Sequence, residues 1–77
     1  MDDNKGIPHE KIISYLGTHM TADLKNHHRI KGTMVFYHLT EQMIHFSDWV
    51  ETDSTDKVIR QGKYIVINRT AWFQLYC

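Results

Sequence analysis

The spacing of apolar residues changes from a helical period to a strand period near residue 17. Apolar residues at 12, 13, 15 and 16 share one helical face, Pro8 suits the first position of a helix, and Gly17 stands where a C-cap belongs. This pattern predicts a short N-terminal α-helix of about two turns. Residues 1–8 are expected to form a flexible lead, and residues 9–77 one domain.

Five later segments have the two-residue period or the β-branched and aromatic content of strands. In the third of them Ile44, Phe46 and Val50 are expected to point inward, and Gly32 in the second predicts a sharp bend, because glycine inside a strand usually marks one. The fourth carries a candidate interruption at 61–63. The order predicts a mainly β fold, a small, strongly bent, five-stranded antiparallel barrel. The five segments are Met20–Leu24, Arg29–Tyr37, Met43–Glu51, Val58–Ile67 and Ala71–Tyr76.

Charge and composition narrow the classes of function. The 77 residues make one domain, and nine basic residues balance nine acidic ones, so the charge disfavours independent nucleic-acid binding. No apolar run approaches a membrane span, and the polar N-terminus is unlike a signal peptide. The lone Cys77 allows no intrachain disulfide and favours a reducing compartment. We therefore expect an intracellular protein of the cytoplasm, the nucleus or both, with no membrane partner.

Catalytic and metal-binding patterns are weak in this sequence. The six histidines show no H-x-x-x-H spacing, and the single cysteine excludes C-x-x-C. Ser14, Ser47 and Ser54 lie in no nucleophile motif, and there is no glycine-rich phosphate loop. The sequence predicts neither an enzyme nor a cofactor, a metal or a small-molecule substrate.

Four segments in register, 16–26, 31–35, 43–51 and 65–72, together resemble the Sm/LSm family. Residues 16–26 look like the family's helix-ending glycine, first strand and Leu-Lys-Asn turn. Residues 31–35 match its bent second strand, 43–51 its third strand, and 65–72 its second motif. More narrowly, the chain resembles the Gemin-type Sm-like subunits of the SMN complex, which assembles Sm rings onto spliceosomal RNA. The resemblance implies an Sm-like (SH3-like) barrel.

The resemblance also implies where RNA would lie. Family members that bind RNA carry Asp and Asn between the second and third strands, whereas residues 38–43 here contain neither. They carry Arg-Gly or Asn-Gly in the last turn, whereas Asn68 is followed by Arg69. The usual uridine pocket is therefore expected to be dismantled, and Arg69 fits a solvent-facing turn or an interfacial ion pair as well as an RNA contact. The candidate RNA-proximal residues are His38, Gln42, Asn68 and Arg69.

Partner binding is the function that these features favour. Trp72 and Phe73 are adjacent in a strand, so one must point inward and the other outward. In Sm-like proteins the fourth strand pairs with the fifth strand of a neighbour, which implies a non-catalytic subunit pairing with another Sm-like protein, as a hetero-dimer or a larger oligomer, within a complex that assembles spliceosomal ribonucleoproteins. The alternatives are an RNA-binding LSm ring subunit with a divergent pocket and an unrelated small β-barrel. The predicted interface comprises Tyr64, Ile65, Val66, Ile67, Trp72, Phe73, Gln74, Leu75 and Tyr76.

Overall fold

A short helix followed by one five-stranded antiparallel sheet makes up the structure, a computed structural model that describes residues 6–77. The predicted mainly β class and five-strand order are confirmed. Most of the expected lead, residues 1–5, lies outside the described residues. Within residues 6–77, no helix is long and apolar enough to cross a membrane. The strands are β1 (His19–Leu24), β2 (Arg29–Tyr37), β3 (Ile44–Thr52), β4 (Val58–Ile67) and β5 (Trp72–Tyr76).

The N-terminal helix, His9–Tyr15, is a 3₁₀-helix, whereas the sequence predicted an α-helix. Seven residues provide few backbone hydrogen bonds of their own, so packing decides the geometry. Ile12 is buried in the core. Just after the helix, Gly17 has a φ of 88°, a backbone conformation that favours glycine. The Gly17 N–H then donates to the Met34 carbonyl at 2.7 Å, which fixes the helix onto β2.

The strand order in the sheet is β4-β3-β2-β1-β5, so β4 and β5 are the two edges. The register of β2 against β3 shifts between Lys31 and Thr33, at Gly32. A Cβ at Gly32 would lie 3.0 Å from the Ser47 carbonyl oxygen and 3.1 Å from the Trp49 Cα. Glycine therefore permits the close approach of β3 at the predicted bend.

The inward face of β3 changes phase in the middle of the strand. Ile44 and Phe46 are buried as predicted, but Asp48 has a positive φ of 48°, and beyond it Trp49 and Glu51 are the buried residues. The prediction that Val50 points into the core is therefore wrong, because one irregular residue moves the following side chains to the opposite faces.

The fourth strand runs without a break through the candidate interruption. Trp49 pairs with Gly62, and its indole occupies the space that a side chain at Gly62 would need. Gly62 is thus part of a continuous strand, with Arg60 and Lys63 on the same edge strand as the apolar residues after them. The edge therefore carries more charge than residues 64–67 alone imply.

Candidate functional site: the two sheet edges

The edge strand β4 pairs with β3 alone among the described strands. Tyr64 and Val66, both predicted interface residues, are exposed, and Ile65 packs partly against the core. Ile67 is only 4% exposed, so its side chain cannot be part of an interface as predicted. Val58 and Ile59 are exposed apolar residues that the prediction did not include. The sequence signal for them was present, since both are β-branched and lie in the same strand.

The other edge strand, β5, pairs with no described strand except β1 and carries a bulge. Leu24 pairs with Trp72 and Asp23 with Gln74, so Phe73 is the extra residue. Phe73 is 61% exposed, and Trp72 is half buried, with its indole N–H donating to the Gln42 carbonyl at 2.9 Å. The predicted separation of these two aromatic side chains is confirmed.

The remaining predicted residues of β5 face in different directions. Leu75 is 1% exposed and belongs to the core, so its side chain cannot be part of an interface as predicted. The Gln74 amide and the Tyr76 hydroxyl both donate to the Asp23 carboxylate, at 3.3 and 3.1 Å. Burial, followed by the interaction with Asp23, raises the pKa of Tyr76. Leu75 can therefore contribute to pairing along this edge only through its backbone groups.

The N-terminal lead also reaches β5, a contact that sequence reasoning missed. The backbone N–H of Ile7 donates to the Leu75 carbonyl at 2.8 Å. The Ile7 side chain is half buried and packs against the core. No motif in the sequence indicated this bond, because a single apolar residue before a proline has no characteristic pattern.

The two candidate RNA-proximal segments lie at the same end of the sheet. Ile44 follows the connector, Ile67 precedes the last turn, and these two residues are paired. In the connector, the Gln42 N–H donates to the His38 carbonyl at 2.7 Å. In the turn, the Asn68 side-chain oxygen accepts from the Thr70 N–H at 3.1 Å, while Arg69 is exposed. The Asn68 amide oxygen thus stabilises its own turn.

A buried carboxylate links three parts of the sheet, and the sequence did not reveal it. Glu51 accepts from the Arg60 Nε at 2.9 Å and from the Arg60 Nη2 at 2.6 Å, and its other oxygen lies 2.8 Å from the His28 Nδ1. Burial alone would raise the pKa of Glu51, but the hydrogen bonds and charges of His28 and Arg60 outweigh it, so that pKa is lowered. Both oxygens are engaged, so this carboxylate is not a free general base.

Aromatic and imidazole rings cluster on the outer face of the sheet. Phe36 lies edge-on to His38 and His45, and the His45 Nδ1 hydrogen-bonds with the Tyr64 hydroxyl. Burial, and then the nearby His38, lower the pKa of His45. Within residues 6–77, no group of three or more His, Cys, Asp or Glu side chains could hold a metal ion. The cluster is a surface of four packed rings, two of which are imidazoles.

Comparison with known proteins identifies the fold of this chain. No protein-family model matches the sequence, and no curated protein sequence matches it. The Sm protein of Pyrococcus abyssii, solved in complex with a uridine heptamer, matches with a TM-score of 0.81 at 17% identity, over 91% of this chain and 96% of that chain. The SmAP (LSm) protein of Methanococcus vannielii matches with a TM-score of 0.71 at 17% identity, over 100% of both chains.

A third similar structure comes from a different kind of assembly. One chain in the NatC complex bound to CoA matches with a TM-score of 0.73 at 14% identity, over 99% of this chain and 87% of that chain. At these identities the similarity is one of fold. The chain has the Sm fold, with β4 and β5 at the two ends of its strand order.

Proposed function

We propose that this protein is a non-catalytic Sm-fold subunit that joins a second Sm-fold chain by pairing sheet edges. The observation that carries the proposal is the pair of edge strands. Strands β4 and β5 lie at opposite ends of one sheet, each pairs with a single described strand, and each exposes large apolar side chains, Tyr64 and Val66 on one and Phe73 on the other.

The energetics support pairing along these edges. An edge strand leaves backbone N–H and C=O groups unpaired by the sheet, which is a template for another strand. Covering one aromatic side chain such as Phe73 contributes roughly 2–3 kcal/mol, enough to strengthen association more than tenfold. Arg60 and Lys63 on β4 oppose indiscriminate pairing, because charged edge residues disfavour unmatched strands. Together these features favour a specific partner over aggregation.

The identity of the partner is the finer part of the proposal. We place the chain in a complex that assembles or chaperones spliceosomal ribonucleoproteins, on the basis of its resemblance to Gemin-type subunits and of the missing Asp and Asn in residues 38–43. The match to a chain of the NatC complex supports the wider idea that this fold serves as a subunit of an assembly.

A second candidate function is RNA binding in a ring with a divergent pocket. The observation in its favour is that the 38–43 connector and the Asn68–Arg69 turn lie at one end of a fold shared with a uridine-bound Sm protein. Zero net charge disfavours it, because phosphate neutralisation supplies most of the affinity for nucleic acid.

Sedimentation velocity over a hundredfold concentration range tests edge pairing. Val66→Lys places a charge on the β4 edge, whereas Val35→Lys makes the same change on the central strand β2. The two valines are matched, since they are 45% and 42% exposed. We expect Val66→Lys to weaken association at least tenfold and Val35→Lys to leave it unchanged, because only the first lies on a pairing edge.

A tagged pull-down from native extract, with mass-spectrometric identification, tests the partner. A cognate Sm-fold partner should be retained by Val35→Lys and lost by Val66→Lys. Equal loss with both variants would contradict edge pairing. A strictly monomeric wild-type chain that gains no stability from any Sm-fold partner would contradict the proposed function itself.

A further inference from the structure

The two edges of the sheet differ in what covers them. Within residues 6–77, no backbone hydrogen bond reaches β4 from any strand other than β3. On β5, by contrast, the Ile7 N–H donates to the Leu75 carbonyl at 2.8 Å. The chain's own lead therefore occupies one acceptor of the β5 edge.

The Leu75 carbonyl is a group that an incoming strand would use. Leu75 is paired with Ala22 of β1, yet its carbonyl accepts from Ile7, so that oxygen points away from β1. In an antiparallel ladder, backbone groups alternate between the two neighbouring strands. A strand added to β5 would therefore compete with Ile7 for the same oxygen.

Within the described residues 6–8, one backbone hydrogen bond joins the lead to this edge. Pro8 follows Ile7 and has no N–H to donate, so the lead cannot continue as a regular sixth strand. The Ile7 side chain packs against the core, which holds the N–H in place. A groove of about 440 Å³ remains between residues 6–9 and β5, so the edge is covered without being sealed.

We infer that residues 6–8 form a removable cap on β5, so that β4 of one copy pairs with β5 of the next only after Ile7 leaves. This inference rests on the proposed function and adds a regulatory step to it. The occupant of the uncapped edge is the β4 strand of a second copy of this chain, since that strand exposes Tyr64 and Val66 and pairs with β3 alone among the described strands. In the part of the chain that the structure describes, one backbone hydrogen bond and a half-buried side chain hold the cap, so the cap is weak.

Two substitutions at one position separate the hydrogen bond from the side-chain packing. Ile7→Pro removes the N–H together with the isoleucine side chain, whereas Ile7→Ala removes the side chain and keeps the N–H. Sedimentation velocity should show half-association of Ile7→Pro at about a fivefold lower concentration than Ile7→Ala, since a net backbone hydrogen bond corresponds to about this factor. Adding Val66→Lys to Ile7→Pro should abolish the gain.

Amide hydrogen exchange in the full-length wild-type chain provides a second readout that needs no variant. The Ile7 amide should be protected in the dilute monomer and should exchange faster once the chain associates through β5. An unprotected Ile7 amide in the monomer, one that stays protected in the assembly, or equal association of the two variants would overturn the cap and leave edge pairing standing. Absence of association in the wild type and every variant, with or without an Sm-fold partner, would instead overturn the proposed function.

Discussion

The Trp49 indole lies against the Cα of Gly62 on the neighbouring strand. A Cβ at Gly62 would fall 2.9 Å from the indole Nε1 and 3.1 Å from two of the ring carbons. Arg60, on the same strand, places its guanidinium 5.4 Å from the centre of the ring. The indole thus contacts both the guanidinium and the glycine, which couples a buried side chain of β3 to the edge strand.

Gly62→Ala should lower the free energy of unfolding by about 1–2 kcal/mol. Overpacking a tight contact typically costs about 1–3 kcal/mol, and the lower backbone entropy of alanine in the unfolded chain offsets part of it. Urea unfolding monitored by tryptophan fluorescence measures the change. Gln61→Ala, at an exposed neighbouring position, is the control and should change stability by less than about 0.5 kcal/mol. Equal stability of the two variants would contradict the contact.

Gly32→Val should lower the free energy of unfolding more than Gly62→Ala does, by about 3 kcal/mol or more. The nearest atoms to its Cβ belong to the backbone of Ser47 and Trp49, so β3 itself must move, and valine adds two further methyl groups. Thermal unfolding compares this variant with Thr33→Val on the same strand, whose side chain is half exposed. A Gly32→Val protein that melts with the parent would show that the close approach of β2 and β3 is absent.

Acid should destabilise the protein through Glu51. In the folded protein the pKa of Glu51 is lowered relative to the ordinary value of 4.5. The carboxylate's contribution to the free energy of unfolding is therefore complete above about pH 4.5 and is lost as the pH falls through the folded pKa. Glu51→Gln should remove about 1–3 kcal/mol at pH 7 and flatten the acid branch of the stability curve. Denaturant unfolding between pH 3 and 7 measures both effects.

Glu41→Gln is the matched control for that experiment, because Glu41 is exposed in the connector before β3. It should reproduce the parent curve. Some acid dependence should survive Glu51→Gln, since hydrogen bonds from Thr55 and Lys57 lower the pKa of Asp53 as well. An unchanged acid branch in the Glu51→Gln protein would show that the carboxylate is not engaged by His28 and Arg60.

Oligouridine should bind the purified chain no more tightly than about 10⁻⁵ M at physiological salt, because the net charge is zero and few phosphates can be neutralised. Fluorescence anisotropy with a labelled heptamer measures this, with the Pyrococcus abyssii Sm protein as the positive control. Submicromolar, uridine-selective binding that Arg69→Ala weakens would favour the ring-forming RNA binder instead.

Local chemistry made the strand order predictable, whereas the details at irregular residues were not. Gly32 marks the bend because glycine weakens the interior of a strand and is typical of places where the backbone bends or is closely approached. Asp48 gave no such signal: a non-glycine residue with positive φ is uncommon, and nothing nearby indicates it. Its bulge places Trp49 and Glu51 on the buried side in place of Val50, which is why Glu51 was missed and Val50 was misplaced.

Side-chain alternation predicted how the two aromatic residues of β5 are oriented, whereas the burial of other edge residues could not be predicted in the same way. Trp72 and Phe73 had to separate, and they do. In the sequence, Ile67 and Leu75 are equally good edge residues, but burial depends on which face of the strand meets the core, and the bulge at Phe73 sets that face for β5. The contact from Ile7 was beyond prediction, because it joins residues at opposite ends of the chain.

The bond from Ile7 to Leu75 bears on the length of any assembly. Pairing of β4 with β5 is head-to-tail, and head-to-tail contacts that do not close into a ring extend into filaments. A molecule whose own lead holds its β5 edge can be added to a growing end but cannot itself be extended from that edge. In the proposed assembly a single amide would therefore act as a chain terminator, and its removal would first be measured as an increase in particle size.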